Sequence, residues 1–216
     1  MIEAVFFDLD GTLADTAADL GGALNRLRAE QGLPSLPAGM IRPHVSKGVR
    51  GLLRVGFGIA ADHPDYARLQ QRFLGHYEAA LCRDTALFEG MDVALGMLDA
   101  VGVIWGIVTN KTSRYTLPVA DALGLANRAA CIVSGDSAPR PKPAPDPLLL
   151  ACALTGTTPA RCLYVGDDLR DIQAARTAGM GAIAAAWGYL GDERPLEEWG
   201  ADTIIRSPAD LAGLLG

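Results

Sequence analysis

The 216-residue chain has only four cysteines, Cys82, Cys131, Cys152 and Cys162, and none of them forms a C-x-x-C pair. That spacing argues against a zinc framework or a disulfide scaffold and fits reduced thiols inside a cytoplasmic protein. The three histidines, His44, His63 and His76, share no metal-ligand spacing. No apolar run approaches the roughly 20 residues that a membrane span needs, so no membrane association is expected. The run Ile2–Phe7 carries Glu3 and stops at Asp8, which is too short for the core of a signal peptide. No basic stripe offsets the formal net charge of −6, so nucleic acid is not an expected partner. No internal repeat or low-complexity tract is present, which excludes solenoid and linker-like organisation. The expected assembly is a monomer or a homodimer.

Half of the residues are hydrophobic, enough to supply a sizeable core. Short apolar runs recur at Ala4–Phe7, Val103–Val108, Cys131–Val133, Cys162–Val165, Ala182–Ala186 and Thr203–Ile205. They are continuous rather than alternating, as in parallel strands covered on both faces. Helical patterns lie between the later runs. Met91–Ala100 ends before Gly102, Tyr115–Leu123 stops at Gly124, and Asp168–Ala178 stops at Gly179. Asp146 and Pro147 read as N-cap and first residue of a further helix, and Ser207-Pro208 opens a last one with Leu211 and Leu214 inward. The alternation predicts an α/β fold, a doubly wound parallel sheet of Rossmann type.

Residues 14–86 interrupt that alternation. They hold no convincing strand but two helical stripes, one at Leu20, Leu24 and Leu27 and another at Tyr66, Leu69, Phe73 and Tyr77. The expected organisation is therefore a core of residues 1–13 and 87–216 with a helical insertion at 14–86. The return hinge is expected near Phe88-Glu89-Gly90.

In doubly wound sheets ligands bind at the carboxyl ends of the strands. Each candidate strand here ends in suggestive chemistry. The first runs into Asp8-Leu9-Asp10-Gly11-Thr12, the second into Thr109-Asn110-Lys111, and the fourth into Gly166-Asp167-Asp168-Leu169-Arg170-Asp171. Lys142-Pro143-Ala144-Pro145-Asp146 follows the third. Carboxylates gathered from two strand ends make a hard oxygen site suited to Mg²⁺, which offsets their repulsion and orients a phosphoryl group. Lys142 and Thr109 would hold the phosphoryl oxygens. One carboxylate can attack phosphorus, and a second, two residues on, can protonate the leaving oxygen.

The run DLDGTLADT at Asp8–Thr16, with Thr109, Lys142 in KPAPD, and GDDLRD at 166–171, resembles in order the four motifs of the haloacid dehalogenase superfamily of phosphatases. The resemblance covers the core from residue 4 to about 186. It implies Asp8 as nucleophile and metal ligand. Asp10 would be general acid/base and a ligand through its backbone carbonyl, and Asp167 the third protein ligand. Thr109 and Lys142 would bind phosphate with Asn110 beside them, and Asp168 and Asp171 would lend support, Asp171 to a metal-bound water or to Lys142. It also implies that 14–86 is a cap that closes over a small phosphorylated substrate, with Lys47 and Arg50 on the substrate side. Within the superfamily, LFEGM at 87–91, WGIVTNK at 105–111 and VGDDLRDIQAARTAGM at 165–180 resemble the phosphoglycolate phosphatases. WGIVTNK, GDDLRD and Trp187-Gly188-Tyr189 also resemble the bacterial N-acetylmuramate 6-phosphate phosphatases. Phosphoglycolate hydrolysis is the first expectation and the sugar-acid phosphate the alternative. Asp10 argues against carbon–halogen chemistry, whose enzymes lack the second acid. A sugar phosphomutase, or a binding module that has kept the fold without catalysis, remains compatible with the motifs.

Several of these residues have a plainer reading. Asp168 suits a helix N-cap as well as a ligand. Lys111 and Arg170 read as surface charges, Lys47 and Arg50 as solvated helix residues, and Trp105 as sheet packing. Tyr66, Phe73 and Tyr77 read as one buried stripe.

Overall fold

The computed structural model describes residues 1–191 and 194–215. The first strand, β1 (Ala4–Phe7), is buried along its whole length because strands flank it on both edges and helices cover both faces. A two-residue strand, β2 (Ala14–Asp15), follows. Four helices come next: α1 (Ala17–Glu30), α2 (Ala38–Ile41), α3 (Gly48–Phe57) and α4 (Tyr66–Glu78). The chain returns through β3 (Ala86–Leu87) to α5 (Met91–Val101), β4 (Ile104–Val108), α6 (Ser113–Ala122) and β5 (Ile132–Val133). It continues through α7 (Asp146–Thr155), β6 (Cys162–Gly166), α8 (Leu169–Ala178), β7 (Gly181–Ala185) and β8 (Thr203–Ile205).

The main sheet is parallel throughout, in the order β5-β4-β1-β6-β7-β8. The order reverses at β1, which pairs with β4 on one side and β6 on the other. Phe7 lies opposite both Ile107 and Val165. The register therefore delivers the residues after Phe7, Val108 and Gly166 to one edge of the sheet, at the switch point where such folds place ligands.

Side chains alternate across β1. Val5 and Phe7 join Leu95, Leu98 and Trp105 on one face, while Ala4 and Phe6 join Leu148, Tyr164 and Ile172 on the other. Phe6 and Phe7 are fully buried, which stabilises the sheet by about 1.5–3 kcal/mol each. The four helices between β2 and β3 share a separate core of Leu24, Leu27, Leu52, Leu53, Phe73 and Tyr77, which meets the sheet layer through Tyr115 and Tyr189. Asp19 of α1 is buried and accepts from Thr85 N (3.1 Å), Thr85 Oγ1 (2.6 Å) and Asp84 N (3.0 Å). A single carboxylate thus ties the first insertion helix to the returning chain.

The strands lie within one residue of their expected bounds, and the structure corrects four details. First, segment 14–86 is not strand-free at its start. Ala14–Asp15 pairs antiparallel with Ala86–Leu87 and forms a two-stranded ribbon where the helical segment leaves and rejoins the sheet. Second, α6 begins at Ser113, because Asp136 takes the exposed Ser113 N–H (2.9 Å) and hydroxyl (2.7 Å). Third, α7 is capped by Pro145, with Asp146 already helical, since Asp146 pairs with Arg140 (2.8 Å). Fourth, the last segment, Pro208–Leu214, winds as a 3₁₀ helix, with Leu211 buried and Leu214 half-buried. All four cysteines are free thiols. Among the described residues no helix is long and apolar enough to cross a membrane.

Candidate active site

Asp8 follows β1 directly. Its backbone N–H donates to Val165 O (2.9 Å), and its Oδ1 accepts from Leu9 N (2.8 Å). The chain then turns back, with Gly11 N on Ala14 O and Ala14 N on Leu9 O, both at 2.9 Å. Gly11 holds φ +87°, and a Cβ there would meet Asp167 Oδ2 at 2.2 Å. Both facts require glycine, so the turn after Asp10 exists to let the β6 carboxylate approach.

Lys142 comes from the long connection after β5 and is buried. Its Nζ lies 2.7 Å from Asp171 Oδ1, 3.0 Å from Asp8 Oδ1, 2.7 Å from Tyr164 Oη and 3.1 Å from Val108 O, four oxygens around three N–H donors. Burial works against the ammonium charge, but Asp171 and Asp8 outweigh it and raise the pKa above the usual lysine value. Asn110 positions this lysine. Its carboxamide donates to Lys142 O and accepts from Lys142 N, both at 2.9 Å. The Asn110 side chain, expected to face substrate, is therefore committed to the Lys142 backbone. Thr109 is buried at the end of β4, and its Oγ1 accepts from Lys111 N (3.2 Å).

Asp8, Asp167 and Asp171 each offer a carboxylate oxygen within 4.8 Å of the others. Asp167 is buried and accepts from Thr12 Oγ1 (3.0 Å), Tyr189 N (2.9 Å) and Ser46 Oγ (2.9 Å). Even with these donors, burial and the neighbouring charges of Asp8 and Asp171 push its pKa up to about 8. Burial also raises Asp171, against the pull of Lys142. Negative charge is thus in excess at this point, and the donors are all hard oxygens. That combination fits a divalent cation of the magnesium type. The cluster contains the expected ligands Asp8 and Asp167 and adds the Asp171 carboxylate, while the Asp10 carboxylate stands apart, as a ligand offering its backbone carbonyl would.

The Asp10 carboxylate is held elsewhere. Its Oδ1 accepts from Thr16 Oγ1 (2.7 Å), and Lys111 Nζ approaches both oxygens at 2.9 and 3.1 Å. Lys111 is not the surface charge that its sequence position suggests. Its side chain is only 8% exposed, and Nζ lies 4.9 Å from the centre of the Tyr77 ring. Burial opposes the charge, but Asp10 and Tyr77 outweigh it and hold the pKa above the ordinary lysine value.

Arg170 is also more than a surface charge. It grips Asp168 at 2.7 and 3.0 Å and donates to Ser46 O at 2.6 Å. Asp168 is the N-cap of α8, accepting from Arg170 N (2.9 Å), while Asp171 closes the capping box on Asp168 N (3.1 Å). Lys47 and Arg50, at the start of α3, line the same cavity as Asp8, Asp10, Thr109 and Lys142. The expected site residues other than Asp167 all line that cavity.

Thr12 and Thr16 lie inside the first motif and Ser46 in the run that opens α3, but no role was assigned to them or to Tyr164 from the sequence, and all four carry contacts to the site. The segment Trp187-Gly188-Tyr189 supports the site from behind. Trp187 Nε1 donates to Thr12 O (3.0 Å), and Tyr189 Oη accepts from Thr16 N (2.8 Å) and donates to Asp15 Oδ1 (3.0 Å). A Cβ on Gly188 would lie 2.2 Å from Asp167 Cβ. The spelling W-G-Y at the end of a strand was the available signal.

A family model described as haloacid dehalogenase-like hydrolase matches residues 5–185. An N-acetylmuramic acid 6-phosphate phosphatase of Pseudomonas aeruginosa is 40% identical over 214 residues, covering 99% of this chain and 95% of that protein. A phosphoglycolate phosphatase of Xanthomonas campestris pv. campestris is 45% identical over 212 residues, covering 96% and 94%. Among solved structures, a predicted phosphoglycolate phosphatase from Haemophilus somnus superposes with a TM-score of 0.87 at 26% identity, covering 100% of this chain and 98% of that one.

Proposed function

The chain belongs to the haloacid dehalogenase-like hydrolase family and is a phosphatase, and from that premise we propose that it hydrolyses a small phosphate monoester with Mg²⁺, through an aspartyl-phosphate on Asp8. The observation that carries this reading is Lys142 Nζ, set 3.0 Å from Asp8 Oδ1 in a cavity that Asp10 and Thr109 also line. In this reading Asp8 attacks phosphorus as the ester P–O bond breaks, and Asp10 gives the leaving oxygen its proton. Asp10 then takes a proton from the water that attacks the aspartyl-phosphate, and inorganic phosphate leaves. Lys142 and Thr109 hold the phosphoryl oxygens, whose charge must be stabilised throughout. Asp8 and Asp167, with Asp171, would hold the Mg²⁺, which when bound offsets the charge of the carboxylates and the phosphoryl group. Helices α1–α4 act as the cap in this reading, with Lys47 and Arg50 turned to a carboxylate on the leaving group.

The leaving group is where the cavity adds to the sequence reading. Its volume is about 370 Å³, within the range of about 300–1,000 Å³ typical of sites for drug-sized ligands. Tyr66, Phe73, Tyr77 and Tyr115 line it together with Lys47 and Arg50, each aromatic ring largely buried in the core of the helical segment. The volume supports a ring-bearing sugar-acid phosphate such as N-acetylmuramate 6-phosphate over a two-carbon acid. Phosphoglycolate, the first expectation from the sequence, becomes the second reading, supported by the 45% identity to the Xanthomonas phosphatase.

The test is phosphate release with Mg²⁺ and with EDTA, comparing kcat/KM for the two esters. Preference for the sugar-acid phosphate supports the first reading, and preference for phosphoglycolate replaces it with the second. Isomerisation without phosphate release would point to a mutase, and no turnover on either ester would overturn both readings.

A further inference from the structure

Ser46 belongs to the turn that precedes α3, yet both of its polar ends are tied to the sheet layer. Its hydroxyl donates to Asp167 Oδ2 (2.9 Å), and its carbonyl accepts from Arg170 Nη2 (2.6 Å). Arg170 is itself fixed, because Asp168 takes Nε at 2.7 Å and Nη2 at 3.0 Å. Two residues of one short run, Asp167 and Arg170, thus converge on one residue of the helical segment, and Asp168 fixes the second of them. The tied turn is compact: Val45 N donates to Arg42 O (3.2 Å), Lys47 N to His44 O (3.2 Å) and Gly48 N to Val45 O (2.8 Å). It is also the turn that sets Lys47 and, one helical turn on, Arg50 beside the cavity.

We propose that Asp168 and Arg170 form a clasp that holds the 45–48 turn over the site, making Arg170 a positioning residue for the part of the cavity that receives the leaving group. Resting on the phosphatase reading above, the clasp acts on leaving-group affinity and not on the chemistry at phosphorus. A planar guanidinium is suited to this task, since it can grip a carboxylate through two donors and still offer an N–H to a carbonyl. An ammonium at position 170 could not hold the same geometry. The second aspartate of GDDLRD, which the catalytic roles leave unassigned, then has two jobs: it caps α8 and it orients Arg170.

Two variants separate those jobs. Arg170→Ala removes the clasp and leaves the cap. Asp168→Ser keeps a good N-cap but loses the carboxylate fork. Hydrogen exchange of the metal-loaded protein is read over residues 42–51 and, as a control, over α1 and α4. Exchange of the turn amides is expected to quicken about tenfold in Arg170→Ala and several-fold in Asp168→Ser, with the control helices unmoved. Steady-state kinetics are read on the preferred ester and on p-nitrophenyl phosphate, whose leaving group carries no carboxylate. The KM for the preferred ester is expected to rise about tenfold with kcat within about threefold, while the KM for p-nitrophenyl phosphate moves by less than about twofold. Unchanged exchange at 42–51, or an equal fall in kcat on both esters, overturns the clasp. If the wild-type protein hydrolyses neither ester, the functional reading fails on its own and the exchange result alone decides the clasp.

Discussion

Lys111 Nζ bridges both carboxylate oxygens of Asp10, at 2.9 and 3.1 Å, beneath the Tyr77 ring. The lysine comes from the end of β4, the aspartate from the turn after β1 and the tyrosine from α4. Sheet and helical segment therefore meet at the group proposed as general acid/base. Removing one partner of such a buried pair leaves an uncompensated charge on the other, and Asp10 would be free to move.

Lys111→Met is expected to lower kcat by about ten- to a hundredfold, part of the roughly 10²- to 10⁴-fold that a positioned acid/base contributes. The Mg²⁺ concentration for half-maximal rate should stay nearly constant, since Asp10's carboxylate lies outside the three-carboxylate cluster. A large rise in that concentration with kcat preserved would show that Lys111 serves the metal site instead.

Asp8→Asn and Asp10→Asn should fail differently. The first replaces the attacking carboxylate with an amide, so no acyl-phosphate can form and turnover should fall below detection. The second should still form the aspartyl-phosphate, slowly, because only proton transfer is impaired. Rapid-quench detection of phosphoprotein distinguishes them, and phosphoprotein in Asp8→Asn would remove Asp8 from its role.

Gly188→Ala tests the close packing behind Asp167. The new methyl would sit 2.2 Å from Asp167 Cβ and 2.5 Å from Gly11 O, and neither neighbour is the end of a flexible chain. Overpacking of this kind costs about 1–3 kcal/mol of stability. Because the displaced group is a proposed ligand, the Mg²⁺ requirement should also rise several-fold. A variant with wild-type melting temperature and Mg²⁺ response would show that the segment yields more readily than its contacts indicate.

The sheet was legible because strands buried on both faces are continuous apolar runs, and β1, β4 and β6 are each followed directly by a polar residue, Asp8, Thr109 and Asp167. Asp8 and Asp167 drew notice for the same reason, whereas Lys142 drew notice through the KPAPD spelling in the connection after β5. The β2–β3 ribbon was not, since two-residue strands such as Ala14–Asp15 carry no periodicity. Lys111 was misread as a surface charge because what buries it, Tyr77, comes from the helical segment, and the contact of the partly exposed Arg170 to Ser46 depends on the same segment. Local sequence cannot announce a partner that only the folded insertion supplies. The hydrogen bonds from Asn110 to Lys142 were not legible, because they depend on how the connection after β5 returns to the site.

Asp167 makes the metal-free protein sensitive to pH in a direction opposite to that of an ordinary salt-bridged aspartate. Burial, with Asp8 and Asp171 nearby, raises its pKa to about 8 in the folded chain, against a reference value of 3.8. Between those values the folded state binds more protons than the unfolded state, so stability falls as pH rises, by at most about 1.4 kcal/mol per pH unit. A divalent cation removes the cause, because it replaces the proton as the partner of the carboxylate. The melting temperature in EDTA should therefore drop by several degrees from pH 5.5 to 7.5, at roughly 2–4 °C per kcal/mol for a chain of this size. Added Mg²⁺ should restore more stability at pH 7.5 than at pH 5.5. A metal-free melting temperature that is flat or rising over this interval, with an equal Mg²⁺ effect at both ends, would mean that Asp167 is already ionised without the metal and that the excess negative charge is not what draws the cation in.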